Sequence, residues 1–246
     1  DETTEPPQIY GSNPIELAWT VIPILIVFIL FLVTTRTIYS LDMQEPPEGA
    51  LRVKVTGHQW WWEFEYLDLD FVTAGELHVP KGVPVFLDLR SADVIHSFWV
   101  PRLSGKTDCI PNRENHLWFQ ADEIGTWYGQ CAEFCGTQHA KMLIRVISEE
   151  ESEFEAWVAN QKLDAPQVPT PLNGKEMFLS LACVNCHNVN GIMMQGGFAP
   201  NLTHLMSRDT IASGAAENTP ENLKQWLRDP NSIKDGCRMP NMMLTE

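Results

Sequence analysis

The chain has 246 residues, 44% hydrophobic and 20% charged, with 32 acidic against 17 basic side chains and a formal charge of -15. That length and composition suit a folded protein of one large domain or two small ones. The acidic balance excludes a nucleic-acid binder, which needs positive surface to displace counterions.

Residues 1–13 read as a polar loop or tail. The run from Leu17 to Thr35 has 19 residues and no charge, enough at about 1.5 Å per residue to span a hydrocarbon core of about 30 Å. It places a transmembrane helix over 14–40, within which Pro23 is tolerable. A cleaved signal peptide would need a basic start and a shorter apolar core, whereas residues 1–6 are mostly acidic and polar. From Leu51 to about Ser148 the pattern changes to short β-type runs punctuated by Gly and Pro, which predicts a sandwich or barrel. An acidic amphipathic helix, ESEFEAWVANQ, closes this domain, whose limits are set at 50–162. Residues 163–173 are Pro-rich and have the composition of a linker. Residues 174–246 show helical spacing and no evident strand, predicting a small all-α domain. Charge divides along the same line: residues 1–173 hold 25 acids and 11 bases, residues 174–246 hold 7 and 6. An acidic half suits steering of a basic partner, and acidity also serves solubility alone.

The segment from Cys131 to Met142, CAEFCGTQHAKM, packs two thiols, an imidazole and a thioether into twelve residues. Donors of this softness select copper or zinc over magnesium or calcium. A structural zinc site would pair C-x2-C with a second Cys or His pair, whereas here the cysteines are four apart with His139 and Met142 following. A mononuclear blue-copper site takes one Cys, so two in one loop point to two metals sharing bridging thiolates. The alternative is a Cys131–Cys135 disulfide in an extracytoplasmic domain, which leaves His139 and Met142 unexplained. A copper loop of this kind also needs a distant histidine, and His96, on the apolar run VIHSFWV, is the candidate.

GHQWWWEFEY (57–66), DVIHSFWVP (93–101), GKTDCIPNREN (105–115) and WYGQCAEFCGTQHAKM (127–142) resemble subunit II of haem-copper cytochrome c oxidases, and IELAWTVIPILIVF (15–28) resembles that subunit's second membrane helix. The resemblance covers about residues 10–160. It implies a cupredoxin-like β-barrel holding a binuclear CuA centre, bridged by Cys131 and Cys135, with His96 and His139 binding one copper each, and Met142 and the Glu133 carbonyl completing the pair. It further implies that the Glu133 side chain reaches a magnesium ion shared with the catalytic subunit, and that Trp60 is where soluble cytochrome c passes its electron in. Glu16 matches a carboxylate near a proton-pathway entrance. Strand packing is the plainer role for at least one of Trp60, Trp61 and Trp62, and a helix N-terminus accepts Glu16 for dipole reasons alone.

Cys183-Val-Asn-Cys186-His187 is the attachment signature of a c-type haem, with both thiols forming thioethers and His187 the axial ligand. The redox and zinc readings of CxxC remain open from spacing alone. NLTHLMSRDTIASG and WLRDPNSIKDGCRMP resemble the class I cytochrome c domain fused to subunit II in bacterial oxidases. Met239, Met242 and Met243 all compete for the sixth position. The family's Lys-Pro-Gly-like turn corresponds to Lys234-Asp235-Gly236 and selects Met239, leaving Met242 and Met243 as packing over the haem face. Asp235 in place of Pro departs from that pattern. His58, His78, His116 and His204 read as structural, and Cys109 and Cys237 match no ligand position.

The sequence thus resembles the electron-input subunit of a bacterial cytochrome c oxidase. Electrons would pass from a donor, either cytochrome c or a quinol-oxidising complex, through covalent haem c to CuA. They would go on to subunit I, where oxygen is reduced to water in aerobic respiration. Both redox domains would face the periplasm from the cell membrane. A copper carrier would have no use for a haem. A nitrous oxide reductase would need a large His-rich domain, and this chain has seven histidines in all. A quinol-oxidising subunit II would lack the copper ligands. Relative to this family a first membrane helix and the closing cytochrome helix are expected beyond the two ends.

Overall fold

The computed structural model describes residues 7–8, 10–41, 45–166 and 174–244. The expected tail (1–13) and linker (163–173) therefore fall partly outside the described residues. Helix α1 (Asn13–Leu41) has 29 residues, includes Pro23 and buries none of its side chains. It is apolar on every side, a pattern suited to lipid, and is long and apolar enough to cross a membrane. The hydroxyls of Thr20 and Thr37 donate to carbonyls one turn back, so these two are satisfied within the helix.

Residues 45–244 belong to a second unit. Its strands are β1 (Leu51–His58), β2 (Trp61–Tyr66), β3 (Phe71–Ala74), β4 (Glu76–Pro80), β5 (Pro84–Ser91), β6 (His96–Trp99), β7 (Thr107–Cys109), β8 (Asn115–Gln120), β9 (Gly125–Cys131) and β10 (Leu143–Glu149). They form two five-stranded sheets, ordered β3-β2-β1-β5-β8 and β4-β10-β9-β6-β7. Alternation in β1, β2 and β10 turns Val53, Val55, Trp62, Phe64, Ile144 and Val146 inward. Each such side chain gains about 1.5–3 kcal/mol from leaving water. The β1–β2 hairpin turns through only Gln59 and Trp60, because His58 pairs with Trp61. That places Gln59 and Trp60 at the sheet's end, where the site lies.

Helix α2 (Glu151–Gln161) lays Trp157 across the core rim, stacked on His78 at 4.2 Å and against Tyr66 at 5.4 Å. Tyr66 is fully buried, and its hydroxyl both donates to the His78 carbonyl (2.7 Å) and accepts from the His78 N–H (2.9 Å). Of the other histidines read as structural, His116 bonds Asp88, His204 bonds the Leu163 carbonyl and His58 stacks on the Trp61 ring at 4.2 Å, with its Nε2 buried and unbonded among the described residues.

The C-terminal segment contains α3 (Gly174–Ser180), a 3-10 turn at Ala182–Asn185 and α4 (Pro220–Arg228). The Thr219 side chain caps α4 by accepting the Asn222 N–H, with Pro at the helix start, the pairing that satisfies an exposed helix N-terminus. No strand was expected here, yet β11 (Thr210–Ile211) and β12 (Ala216–Glu217) form a short hairpin. Two residues per strand are too few to show a period of two, and the turn is made by Ala212, Ser213 and Gly214, all at positive φ. This hairpin meets the start of the edge strand β4, which is buried along its whole length. The buried carboxylate of Glu76 accepts from the Asp209 N–H (3.1 Å), the Thr210 N–H (2.8 Å) and the Thr210 hydroxyl (2.8 Å).

Replacing Tyr66 with Phe should leave both polar backbone groups of His78 without a partner in a dry core. The expected loss is about 1–3 kcal/mol, seen as a lower thermal midpoint. An unchanged midpoint would show that the hydroxyl bonds carry no net stability.

Candidate functional site

The antiparallel pairing of β9 with β10 is joined by the loop 131–142, whose ends are tied by the Cys131 N–H donating to the Met142 carbonyl at 2.9 Å. Strand β6 pairs with β9 through Phe98 and Cys131, which brings His96 from the far end of β6 to the same place. A 3-10 turn at His139–Lys141 folds His139 back over the loop.

The result is a cluster of soft donors. The Sγ atoms of Cys131 and Cys135 are 3.8 Å apart, His96 Nδ1 is 3.9 Å from Cys131 Sγ, and His139 Nδ1 is 3.7 Å from Cys135 Sγ. Met142 Sδ lies 3.8 Å from Cys135 Sγ, and the Glu133 carbonyl oxygen 3.2 Å from Cys131 Sγ. Cys131, Cys135, His96 and Met142 are all buried. The sulfurs are too far apart for a disulfide, whose bond is about 2.05 Å, and all six cysteines are unpaired. Two thiols, two imidazoles, a thioether and a carbonyl converging in a dry cavity fit a soft-metal pair.

Charge is shared unevenly within the cluster: Cys135, sharing a hydrogen with Cys131, favours the Cys131 thiolate against the opposing effect of burial, His96 adds to this, and Cys135 itself moves upward in return. Burial works against a charged His96, but the contacts with Asp93 and Cys131 outweigh it and raise that group. Cys109, paired with His96 across β6 and β7, is a third thiol nearby. Burial first, then the Cys131 charge, pushes it up to about 12.

Further residues hold these donors; of them only Trp60 is a site residue in the sequence analysis, and for another role. Asp93 Oδ1 bonds His96 Nε2 at 2.8 Å, leaving Nδ1 toward the sulfur, while Asp93 Oδ2 accepts the Gln59 N–H at 2.7 Å. Gln59 Nε2 and Trp60 Nε1 both donate to the Cys135 carbonyl, at 2.8 and 3.0 Å. Gly57 is needed by close approach: a Cβ there would come within 2.8 Å of the His96 ring. Asp93 carried a faint signal, a carboxylate three residues before a histidine; Gln59 carried none.

Other expected site residues fall elsewhere. Glu16 sits in the first turn of α1, where its carboxylate accepts the Ser12 N–H at 3.2 Å. The Glu133 side chain is exposed while its carbonyl faces the cluster. Asp88, Glu114 and His116 also approach one another, but Arg52 and Arg90 pair with the two carboxylates, which makes the group an ion-pair network.

Cys183 and Cys186 flank the end of the 3-10 turn, and the His187 N–H donates to the Cys183 carbonyl at 3.0 Å. His187 Nδ1 donates to the Pro200 carbonyl at 2.8 Å, which fixes the tautomer and presents Nε2 as the ligating nitrogen. Burial lowers the proton affinity of His187, with the bond to the Pro200 carbonyl opposing it. Two unpaired thiols beside an oriented imidazole fit covalent haem. Met239 and Met242 are half-buried, whereas Met243, expected to pack, is 86% exposed at a turn held by its N–H bond to Asn241.

Residues 71–149 match the family model for the periplasmic domain of cytochrome c oxidase subunit II, and residues 172–246 match the cytochrome c model. The chain is 40% identical over 241 residues to cytochrome c oxidase subunit 2 of Alkalihalophilus pseudofirmus, covering 96% of this chain and 70% of that one. The chain belongs to the cytochrome c oxidase subunit II family. It is also 37% identical to the subunit 2 of Bacillus subtilis over 97% of this chain and 72% of that one. Among solved structures it resembles the periplasmic domain of subunit II from Bradyrhizobium japonicum, at 36% identity and a TM-score of 0.46, covering 48% of this chain and 97% of that one. Membership of the family makes the chain a component of an oxidoreductase complex, anchored in a membrane with its domains on the outer face. Its subunit II domain implies a CuA centre, its cytochrome c domain a haem, and the family a catalytic subunit as partner.

Asp93→Asn should weaken copper binding by about 10–100-fold, the usual effect of losing an outer partner of a metal-bound histidine. Copper content after dialysis against graded chelator measures this. Retention equal to the parent chain would remove Asp93 from the site.

Proposed function

We propose that this subunit II takes one electron at a time from a donor outside the membrane and delivers it to the haem-copper catalytic subunit, with haem c as the first carrier and CuA as the second. The observation that carries the reading is the approach of His96, His139 and Met142 to two buried, unpaired thiols 3.8 Å apart. In this reading Cys131, Cys135, His96, His139, Met142 and the Glu133 carbonyl would hold the copper pair, and Cys183, Cys186, His187 and Met239 would hold haem c. When bound, the copper pair and the haem supply reversible one-electron carriers, the chemistry that side chains lack.

The chain's own residues supply the rest. Asp93 and the Pro200 carbonyl orient the two ligating histidines, and Gln59 and Trp60 hold the copper loop through the Cys135 carbonyl. Burial excludes water, and with it any open position for substrate. The Glu133 carboxylate, which is exposed, would reach a magnesium ion shared with the catalytic subunit. Trp60 is the electron-entry residue, and Glu16 lies at a proton-pathway entrance. The functional limits are 14–40 for the membrane helix, 50–162 for the CuA domain and 174–246 for the cytochrome c domain. The location is the periplasmic face of a bacterial cell membrane, and the donor is cytochrome c or a quinol-oxidising complex.

Metal analysis with a reduced-minus-oxidised spectrum should show two coppers and one haem c per chain. Cys131→Ser or Cys135→Ser should abolish the near-infrared absorption of the copper pair and stop turnover, while haem c still reduces. A single mutant that kept two coppers and full turnover would end the binuclear assignment. For the haem, Met239→Leu should remove the weak sulfur-to-iron band of the oxidised spectrum, and Met242→Leu and Met243→Leu should keep it; the reverse pattern would move the axial ligand.

A further inference from the structure

The loop that carries the proposed axial Met239 lies directly on the copper loop. Lys234 is only 3% exposed, and its Nζ donates to the Trp60 carbonyl at 2.7 Å and to the Ala212 carbonyl at 3.0 Å. Around it, Gln138 donates to the Asp235 carbonyl, Lys141 Nζ to the Ile233 carbonyl at 2.6 Å, and Arg238 to Gln59 Oε1. A Cβ at Gly236 would sit 3.3 Å from Thr137 Cγ2. Three segments therefore meet at one ammonium group: the Gln59–Trp60 hairpin tip, the β11–β12 turn and the haem-ligand loop.

A buried ammonium is costly unless its donors are used. Here it satisfies two carbonyls in irregular backbone that sheet pairing does not reach. Burial brings Lys234 down to about 7, with the Cys237 and Cys135 charges opposing that effect. The position of Trp60 gives the contact a purpose. Its carbonyl is held by Lys234 of one domain, and its indole Nε1 donates to the carbonyl of Cys135, a thiol of the copper cluster. The chain is thus continuous by covalent and hydrogen bonds from the haem-ligand loop to Cys135.

We propose that Lys234 is a positioning residue that fastens the haem-ligand loop onto Trp60, making Trp60 an internal bridge between the two domains and closing it as a docking port for a soluble donor. This rests on the electron-input reading above. Glu76, at the other end of the interface, anchors β11 independently, so loss of Lys234 loosens this loop without releasing the domain.

The test uses the assembled oxidase with all cofactors, and Lys234→Met and Lys234→Arg variants. Haem c is reduced by a light pulse, and arrival of the electron is followed in the near-infrared copper band. Electron tunnelling falls off steeply with separation, so Lys234→Met should slow haem-to-copper transfer several-fold with both absorption spectra unchanged. Lys234→Arg should recover most of the rate. Mixed with a soluble basic cytochrome c, the parent oxidase should reduce haem c before copper, and Lys234→Met should let copper be reduced directly. An unchanged transfer rate in Lys234→Met, or copper reduced ahead of haem c in the parent, would overturn the proposal. If Lys234→Met loses either spectrum, Lys141→Met combined with Arg238→Gln opens the same interface from its rim, and must show the same slowing or the proposal falls. Absence of the copper band or of haem c in the parent would instead defeat the electron-input reading itself.

Discussion

Two thiol sulfurs held 3.8 Å apart in a dry cavity are the constraint on which this molecule is organised. Left to themselves, neighbouring thiols close to a disulfide or repel as thiolates. Keeping them at this separation needs a rigid frame on every side. Strand β9 fixes Cys131, and the bond from Cys131 N–H to the Met142 carbonyl closes the loop behind it. The hairpin tip of the other sheet then reaches across to clamp the Cys135 carbonyl with two donors. The sandwich explains why that is possible: the turn of one sheet and the ligand loop of the other emerge at the same end. A centre that exchanges electrons without rearranging needs ligands that cannot follow a change of charge, and buried, doubly held ligands meet that need.

How much of this could be read from the sequence follows from how local each feature is. The copper loop was legible because four of its donors lie within twelve residues, and the haem motif because it occupies five. His96 is 35 residues from Cys131 and was assigned only because the loop demanded a distant partner. Asp93 and Gln59 escaped, since a carboxylate and an amide on a turn are ordinary until the fold brings Gln59 to a residue 76 positions away. The sandwich was legible as alternation. The hairpin β11–β12 was not, because two-residue strands carry no period and its turn uses Ala and Ser at positive φ, where sequence rules look for Gly.

Least legible was the contact between the two redox domains. Glu76 meets Thr210 across 134 positions and Lys234 meets Trp60 across 174. Either charge alone looks like an ordinary surface residue in an acidic chain. Burial of the two, with their polar atoms bonded to backbone of the other domain, is what distinguishes them. A buried charge left unpaired would cost several kcal/mol, so each has a place only if the domains dock in one arrangement.

That arrangement also bears on the uneven charge. Residues 1–173 carry a large acidic excess, while residues 174–246 are close to neutral. A separate basic carrier would be drawn to such an acidic surface by long-range attraction, which salt screens beyond about 10 Å. A domain on the same chain does not need steering, because the covalent connection already supplies a high local concentration. What it needs is a single orientation, and long-range attraction between surfaces does not select one. Short, directional hydrogen bonds from buried groups do, and they are screened far less by salt. Near-neutrality of the cytochrome domain is therefore consistent as physics: attraction is replaced by attachment, and orientation is set by directional hydrogen bonds, among them those of the buried Glu76 and Lys234.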